Sequence, residues 1–180
     1  WEGYPEEGWY PSLKKELEKK GFEVNIPTMP DTDEPRIKPW VSKIAEIVGK
    51  PDNETYFVGH SIGCLAILRY LQTLPEETKI GGVVFVAGFF ELSELETEEE
   101  KIIVKPWLET PIYFDKIKRT TNNFVAIFSD DDPYVPKKNV NTYKEKLGAK
   151  IIMEKGKGHF AGDDNIKELP IVLEELLRIS

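Results

Sequence analysis

The apolar positions along this chain keep two rhythms that take turns. Leu13 and Leu17, closed by Gly21, predict a helix over about 9–20. Phe22-Glu23-Val24-Asn25-Ile26 alternates like a half-buried strand and stops at Pro27. A loop rich in Pro and Asp (27–36) follows. Ile37, Trp40, Val41, Ile44 and Ile47 then mark one face of a helix over about 37–48. Tyr56-Phe57-Val58 reads as a short strand, and Ile62 to Leu74 as a helix that ends at Pro75. Val83 to Ala87, Phe124 to Phe128 and Lys150 to Met153 read as further strands, the first two apolar throughout, as in a sheet covered on both faces. Residues 137–147 and 164–178 return to helical spacing. Strands that alternate with helices predict right-handed βαβ crossovers and a mostly parallel central sheet, a three-layer α/β fold.

Segment 88–118 breaks the rhythm. It holds Phe89, Phe90, an acidic run from Glu94 to Glu100, Pro106, Trp107, Pro111 and Tyr113. The expectation is a short cap-like excursion above the sheet, its glutamates solvated. Phe89, Phe90 and Trp107, joined by Phe160, are the candidate lining of a substrate pocket.

A length of 180 residues suits one domain over 1–180. The formal charge of −8 argues against a nucleic-acid partner. Lysines and glutamates are interspersed, as in Lys14-Lys15-Glu16-Leu17-Glu18-Lys19-Lys20, so no basic face builds up. No apolar stretch is long enough to span a bilayer, and no membrane partner is expected. Cys64 is the single cysteine, which excludes an internal disulfide and a cysteine-based metal site. That usage fits a reducing, cytoplasmic compartment.

The candidate chemistry begins at Gly59-His60-Ser61-Ile62-Gly63, where a strand hands over to a helix. Chance alone puts Gly-x-Ser-x-Gly in roughly one chain in twenty of this length, so the motif needs its context. The flanking strand and helix supply it. In a nucleophile elbow the serine is held in a strained turn, and glycine at 59 and 63 is expected to remove side-chain collisions. A serine also needs a base. His60 is its direct neighbour and points elsewhere, which reads as packing or hydrogen bonding. His159 follows the last predicted strand and opens on the same sheet edge. The acid that orients it is expected in Ser129-Asp130-Asp131-Asp132-Pro133, which also ends a strand. Three adjacent aspartates also suggest a cation site, but no other ligand cluster accompanies them and no metal is expected.

The order Ser, Asp, His is that of α/β-hydrolases, and more of the chain follows one branch of them. Gly8-Trp9-Tyr10, Met29-Pro30-Asp31, Trp40, Gly59-His60-Ser61, Arg69-Tyr70, Pro106-Trp107, Asp131-Asp132-Pro133-Tyr134-Val135-Pro136 and Gly158-His159-Phe160 occur in sequence. With these motifs the chain resembles the small serine hydrolases typified by retinoblastoma-binding protein nine. The resemblance implies an α/β-hydrolase fold, Ser61 as nucleophile, Asp132 as acid, His159 as base and the Ile62 amide as an oxyanion donor. It implies no cofactor. It also implies a first strand lying between Phe22–Ile26 and Thr55–Val58, followed by a loop with the second oxyanion donor. That strand is absent from this chain, and Trp1-Glu2-Gly3 is what stands for the loop, which makes the Trp1 amide the candidate. The retinoblastoma-binding motif Leu-x-Cys-x-Glu is replaced by Ile62-Gly63-Cys64-Leu65-Ala66, so that partner is not implied.

The function expected is hydrolysis of small carboxylic esters or related acyl compounds, with a small acyl molecule as the partner. A scaffold with little turnover, and acyl transfer to an acceptor other than water, are the alternatives.

Overall fold

The computed structural model describes residues 1–93, 95 and 97–180. Four strands form one parallel sheet in the order β1 (Tyr56–His60), β2 (Gly82–Val86), β3 (Phe124–Ser129), β4 (Lys150–Glu154). Register runs Phe57 with Val83, Val84 with Val125, and Ile127 with Ile152. Every residue of β2 and β3 is buried. The continuous apolar runs thus predict strands covered on both faces, and the class is α/β.

Seven α-helices occur among the described residues: α1 (Tyr10–Lys19), α2 (Ile37–Val48), α3 (Ile62–Leu71), α4 (Glu98–Glu109), α5 (Phe114–Thr120), α6 (Lys138–Thr142) and α7 (Pro170–Ile179). The pleat shows that they cover both faces. A Cβ added at Gly59 would meet Ile67 of α3, and one added at Gly82 would meet Ile179 of α7. Gly59 pairs with Phe85 and Tyr56 with Gly82, so positions 59 and 82 point to opposite sides. Helix α1 packs with α7, and α2 with α3.

Local chemistry sets several boundaries. Pro170 starts α7, because a missing N–H costs nothing in a helix's first turn. The helix expected from 164 therefore begins later, after a 3-10 turn over Gly162–Asp164. The acidic run is partly explained by α4: Thr97 and Glu100 form a reciprocal capping box. Glu98, Glu99 and Glu100 occupy the first turn, where the helix dipole favours negative charge. Glu94 and Glu96 lie outside the described residues. Helix α6 continues as a π turn over Tyr143–Leu147, which ends at left-handed Gly148.

One expected element fails. Residues 22–26 form no strand, and residues 23–27 make no backbone hydrogen bond among the described residues. The alternation is real, since Phe22 and Val24 pack against the core and the Phe22 ring lies 6.2 Å from that of Tyr56. A strand, however, is defined by its neighbour. Between this segment and β1 there is a cavity of about 640 Å³.

Candidate active site

Ser61 joins β1 to α3 with φ 53° and ψ −126°. Backbone of this kind costs a non-glycine residue about 1–3 kcal/mol. Two hydrogen bonds hold it: Ser61 N–H donates to Val86 O at 2.9 Å, and Cys64 N–H to Ser61 O at 3.0 Å. An added Cβ at Gly59 would lie 2.7 Å from Ile67 Cδ1 and 3.0 Å from Cys64 N, so only glycine fits. Gly63 corrects the sequence expectation, because a Cβ there meets nothing within 4 Å. Crowding requires glycine at 59 and not at 63.

The Ile62 N–H opens α3 and has no hydrogen-bond partner among the described residues. It lies at the positive end of the helix, beside the serine. Trp1 lines the same cavity as Ser61 and His159. Cys64 is fully buried beneath the turn, and burial pushes its thiol up to about 12. It behaves as a small apolar residue.

The structure brings Ser61, His159 and Asp132 together. His159 Nε2 lies 2.9 Å from Ser61 Oγ, and His159 Nδ1 lies 2.9 Å from Asp132 Oδ2. Asp132 Oδ1 accepts the N–H groups of Tyr134 (2.9 Å) and Val135 (3.1 Å). Its side chain is 3% exposed, and that of His159 14%. A carboxylate on Nδ1 keeps the proton there and leaves the Nε2 lone pair facing the hydroxyl.

Asp130 and Asp131 hold the histidine loop. Asp130 Oδ1 accepts Gly156 N–H at 3.0 Å, and Asp131 Oδ1 accepts Gly158 N–H at 2.9 Å and Ser129 Oγ–H at 2.6 Å. Ser129 Oγ in turn accepts Lys157 N–H at 2.9 Å. The Ser129 hydroxyl and Gly158 amide hold the Asp131 carboxyl below the usual carboxylate range. The run of aspartates is thus engaged by N–H and O–H donors. A signal for this lay in Gly156-Lys157-Gly158, whose glycines both take positive φ and turn successive N–H groups to one side.

The expected pocket aromatics are a correction. None of Phe89, Phe90, Trp107 and Phe160 lines the cavity that reaches Ser61. Each has found an apolar partner or a tether elsewhere. Trp107 is 1% exposed, donates Nε1–H to Pro35 O at 2.8 Å and packs edge-on to Trp40. Phe89 and Phe160 are equally buried. Phe90 packs on Phe114 and Tyr143. The cavity wall comes from residues that the sequence placed on helices, strands or motifs but not in a pocket, including Leu13, Val24, Met29, Ile44, Val58 and Ile67.

The serine hydrolase family profile matches residues 1–178, and the chain belongs to that family. It is 31% identical over 169 residues to the putative hydrolase YdeN of Bacillus subtilis, covering 93% of this chain and 86% of that one. It is 29% identical over 171 residues to the serine hydrolase RBBP9 of Rattus norvegicus, covering 94% and 87%. The solved structure of the B. subtilis ydeN product superposes with a TM-score of 0.90 at 28% identity, over 99% of this chain and 94% of that one. A monoacylglycerol lipase from Paleococcus ferrophilus shares the fold at a TM-score of 0.63 and 17% identity, over 95% and 89%. The fold is of the α/β-hydrolase type, and the protein is a hydrolase. Among the described residues no helix is long and apolar enough to cross a membrane.

Proposed function

We propose that this hydrolase cleaves small carboxylic esters and related acyl compounds through an acyl-enzyme on Ser61. One observation carries the reading: the unbroken chain from Ser61 Oγ to His159 Nε2, and from His159 Nδ1 to Asp132 Oδ2, each link 2.9 Å. Ser61 Oγ attacks the acyl carbonyl carbon while His159 Nε2 takes the hydroxyl proton. Asp132, fixed by the amides of Tyr134 and Val135, steadies the imidazolium. The oxyanion is met by the free Ile62 N–H, with the Trp1 backbone nitrogen as the second candidate donor. The proton on His159 passes to the departing alcohol, and water then cleaves the acyl-serine by the same route. Small substrates are favoured because the described residues of segment 88–118 supply α4 and the start of α5, too little for a large lid.

Hydrolysis of p-nitrophenyl acetate and labelling by a fluorophosphonate test the reading. Ser61→Ala should abolish both, and retained labelling in that variant overturns it. Asp132→Asn should lower kcat by up to about 10⁴-fold, as loss of the orienting acid does in triad enzymes. If Asp130→Asn is the damaging change instead, the acid is misassigned.

A further inference from the structure

The residue before the serine has no part in that proposed chemistry, yet its surroundings are fully specified. His60 Nε2 lies 2.7 Å from the backbone oxygen of His159, and His60 Nδ1 lies 3.0 Å from Tyr10 Oη. A carbonyl oxygen can only accept, so Nε2 must carry the imidazole proton. Nδ1 is then bare and accepts the Tyr10 hydroxyl. Both groups keep these states over the working pH range. Desolvation, followed by the nearby His159, pushes His60 down to about 3, and desolvation raises the Tyr10 phenol well above its ordinary value.

The same turn of α1 makes a second link. Trp9 Nε1–H donates to Phe160 O at 3.0 Å, and Phe160 holds φ at 57°. Two consecutive carbonyls, 159 and 160, are thus tied to Trp9 and Tyr10, one directly and one through His60. The rings close the arrangement: Trp9 meets Tyr10 edge-on at 4.6 Å, and the His60 and His159 rings lie 5.1 Å apart.

We infer that His60 is a positioning residue, which as the neutral Nε2–H tautomer, fixed by Tyr10, anchors the His159 backbone so that its ring stays on Ser61. The inference rests on His159 being the base. Aspartates 130 to 132 hold that loop and ring from the β3 side, and His60 holds the loop from the β1 side. Without His60, the ring keeps its carboxylate but loses the tether that fixes its distance from Oγ. A misplacement of about 1 Å at such a centre can cost about 100-fold in rate.

Side-chain geometry provides the test. In His60→Gln the amide nitrogen stands near the Nε2 position and can still donate to the His159 carbonyl, whereas in His60→Asn it stands near Nδ1 and cannot reach. Kinetics on p-nitrophenyl acetate, normalised by fluorophosphonate titration of competent sites, should show kcat falling about 10- to 100-fold in His60→Ala and His60→Asn. KM should change less than kcat, staying within about threefold, because the tether acts on the base. The kcat of His60→Gln should stay within about fivefold of wild type, because its amide still donates to the His159 carbonyl. Tyr10→Phe should cost a few-fold, and that cost should vanish in the His60→Ala background. Equal rates for Gln and Asn, or His60→Ala within twofold of wild type, overturn the inference. Should the Ala variant not fold, the Gln–Asn contrast and Tyr10→Phe decide alone. Activity retained in Ser61→Ala is a different failure, that of the hydrolytic reading itself.

Discussion

β1 has two edges, and they could hardly differ more. Along one, Gly81 N–H donates to Thr55 O and Ser61 N–H to Val86 O, at the two ends of an unbroken ladder to β2. Along the other, the even-numbered residues Tyr56, Val58 and His60 turn their backbone groups toward a cavity of about 640 Å³ and an unpaired segment. The candidate site draws its geometry from the first edge. Ser61, Asp132 and His159 follow β1, β3 and β4 in turn, and Asp130 N–H is itself bonded to Glu154 O at 3.0 Å. The second edge faces a cavity walled by side chains of α1, α2 and α3 and by residues 23–27, which make no backbone hydrogen bond among the described residues. The proposed nucleophile stands where the paired edge and the cavity meet.

That contrast can be broken by energetics. Trp107→Ala removes a fully buried ring with a satisfied N–H, and should cost about 3–5 kcal/mol in urea unfolding. Val24→Ala, on the hollow side, should cost below about 1.5 kcal/mol, because the cavity beside it already forgoes those contacts. Equal costs would mean that Val24 is packed as tightly as Trp107 and that the cavity beside it is filled in solution.

Amide exchange sharpens the comparison at single residues. N–H groups of Phe57, Gly59 and Ser61 should be protected about tenfold or more over those of Tyr56, Val58 and His60. Uniform protection along β1 would show that its outer edge is covered in solution.

The smallest effect lies in acid. Asp131 titrates lower folded than unfolded, so its contribution is fully present above the unfolded carboxylate value of about 3.9 and fades as pH falls through the folded one. The melting-temperature gap between wild type and Asp131→Asn should therefore narrow from pH 7 to pH 3. A gap that stays constant would detach the carboxylate's charge from loop anchoring.

Much of this was legible in the sequence where local pattern and tertiary context agree. Buried parallel strands announce themselves as Val83 to Val86 and Phe124 to Phe128, because both faces need apolar side chains. Strand ends sharing one rim put Ser61, the aspartates 130–132 and His159 together, and the family resemblance singled out Asp132 among the three. The illegible parts depend on partners. Phe22 to Ile26 has the alternation of a strand but no ladder to join. The aromatics of 88–118 had the composition of a pocket, yet Trp107 was claimed by Trp40 and Pro35. Gly63 satisfies the motif without the crowding that the motif is usually taken to signal. No periodicity encodes the joining of Tyr10, His60 and His159, because it links residues 50 and 99 positions apart.

The dihedral angles at Ser61 set a trade between fold and chemistry. A glycine there would adopt φ 53° without penalty and return stability to the fold at once. In the proposed chemistry that relief would come only with loss of the attacking oxygen, so at this position strain and reactivity are inseparable.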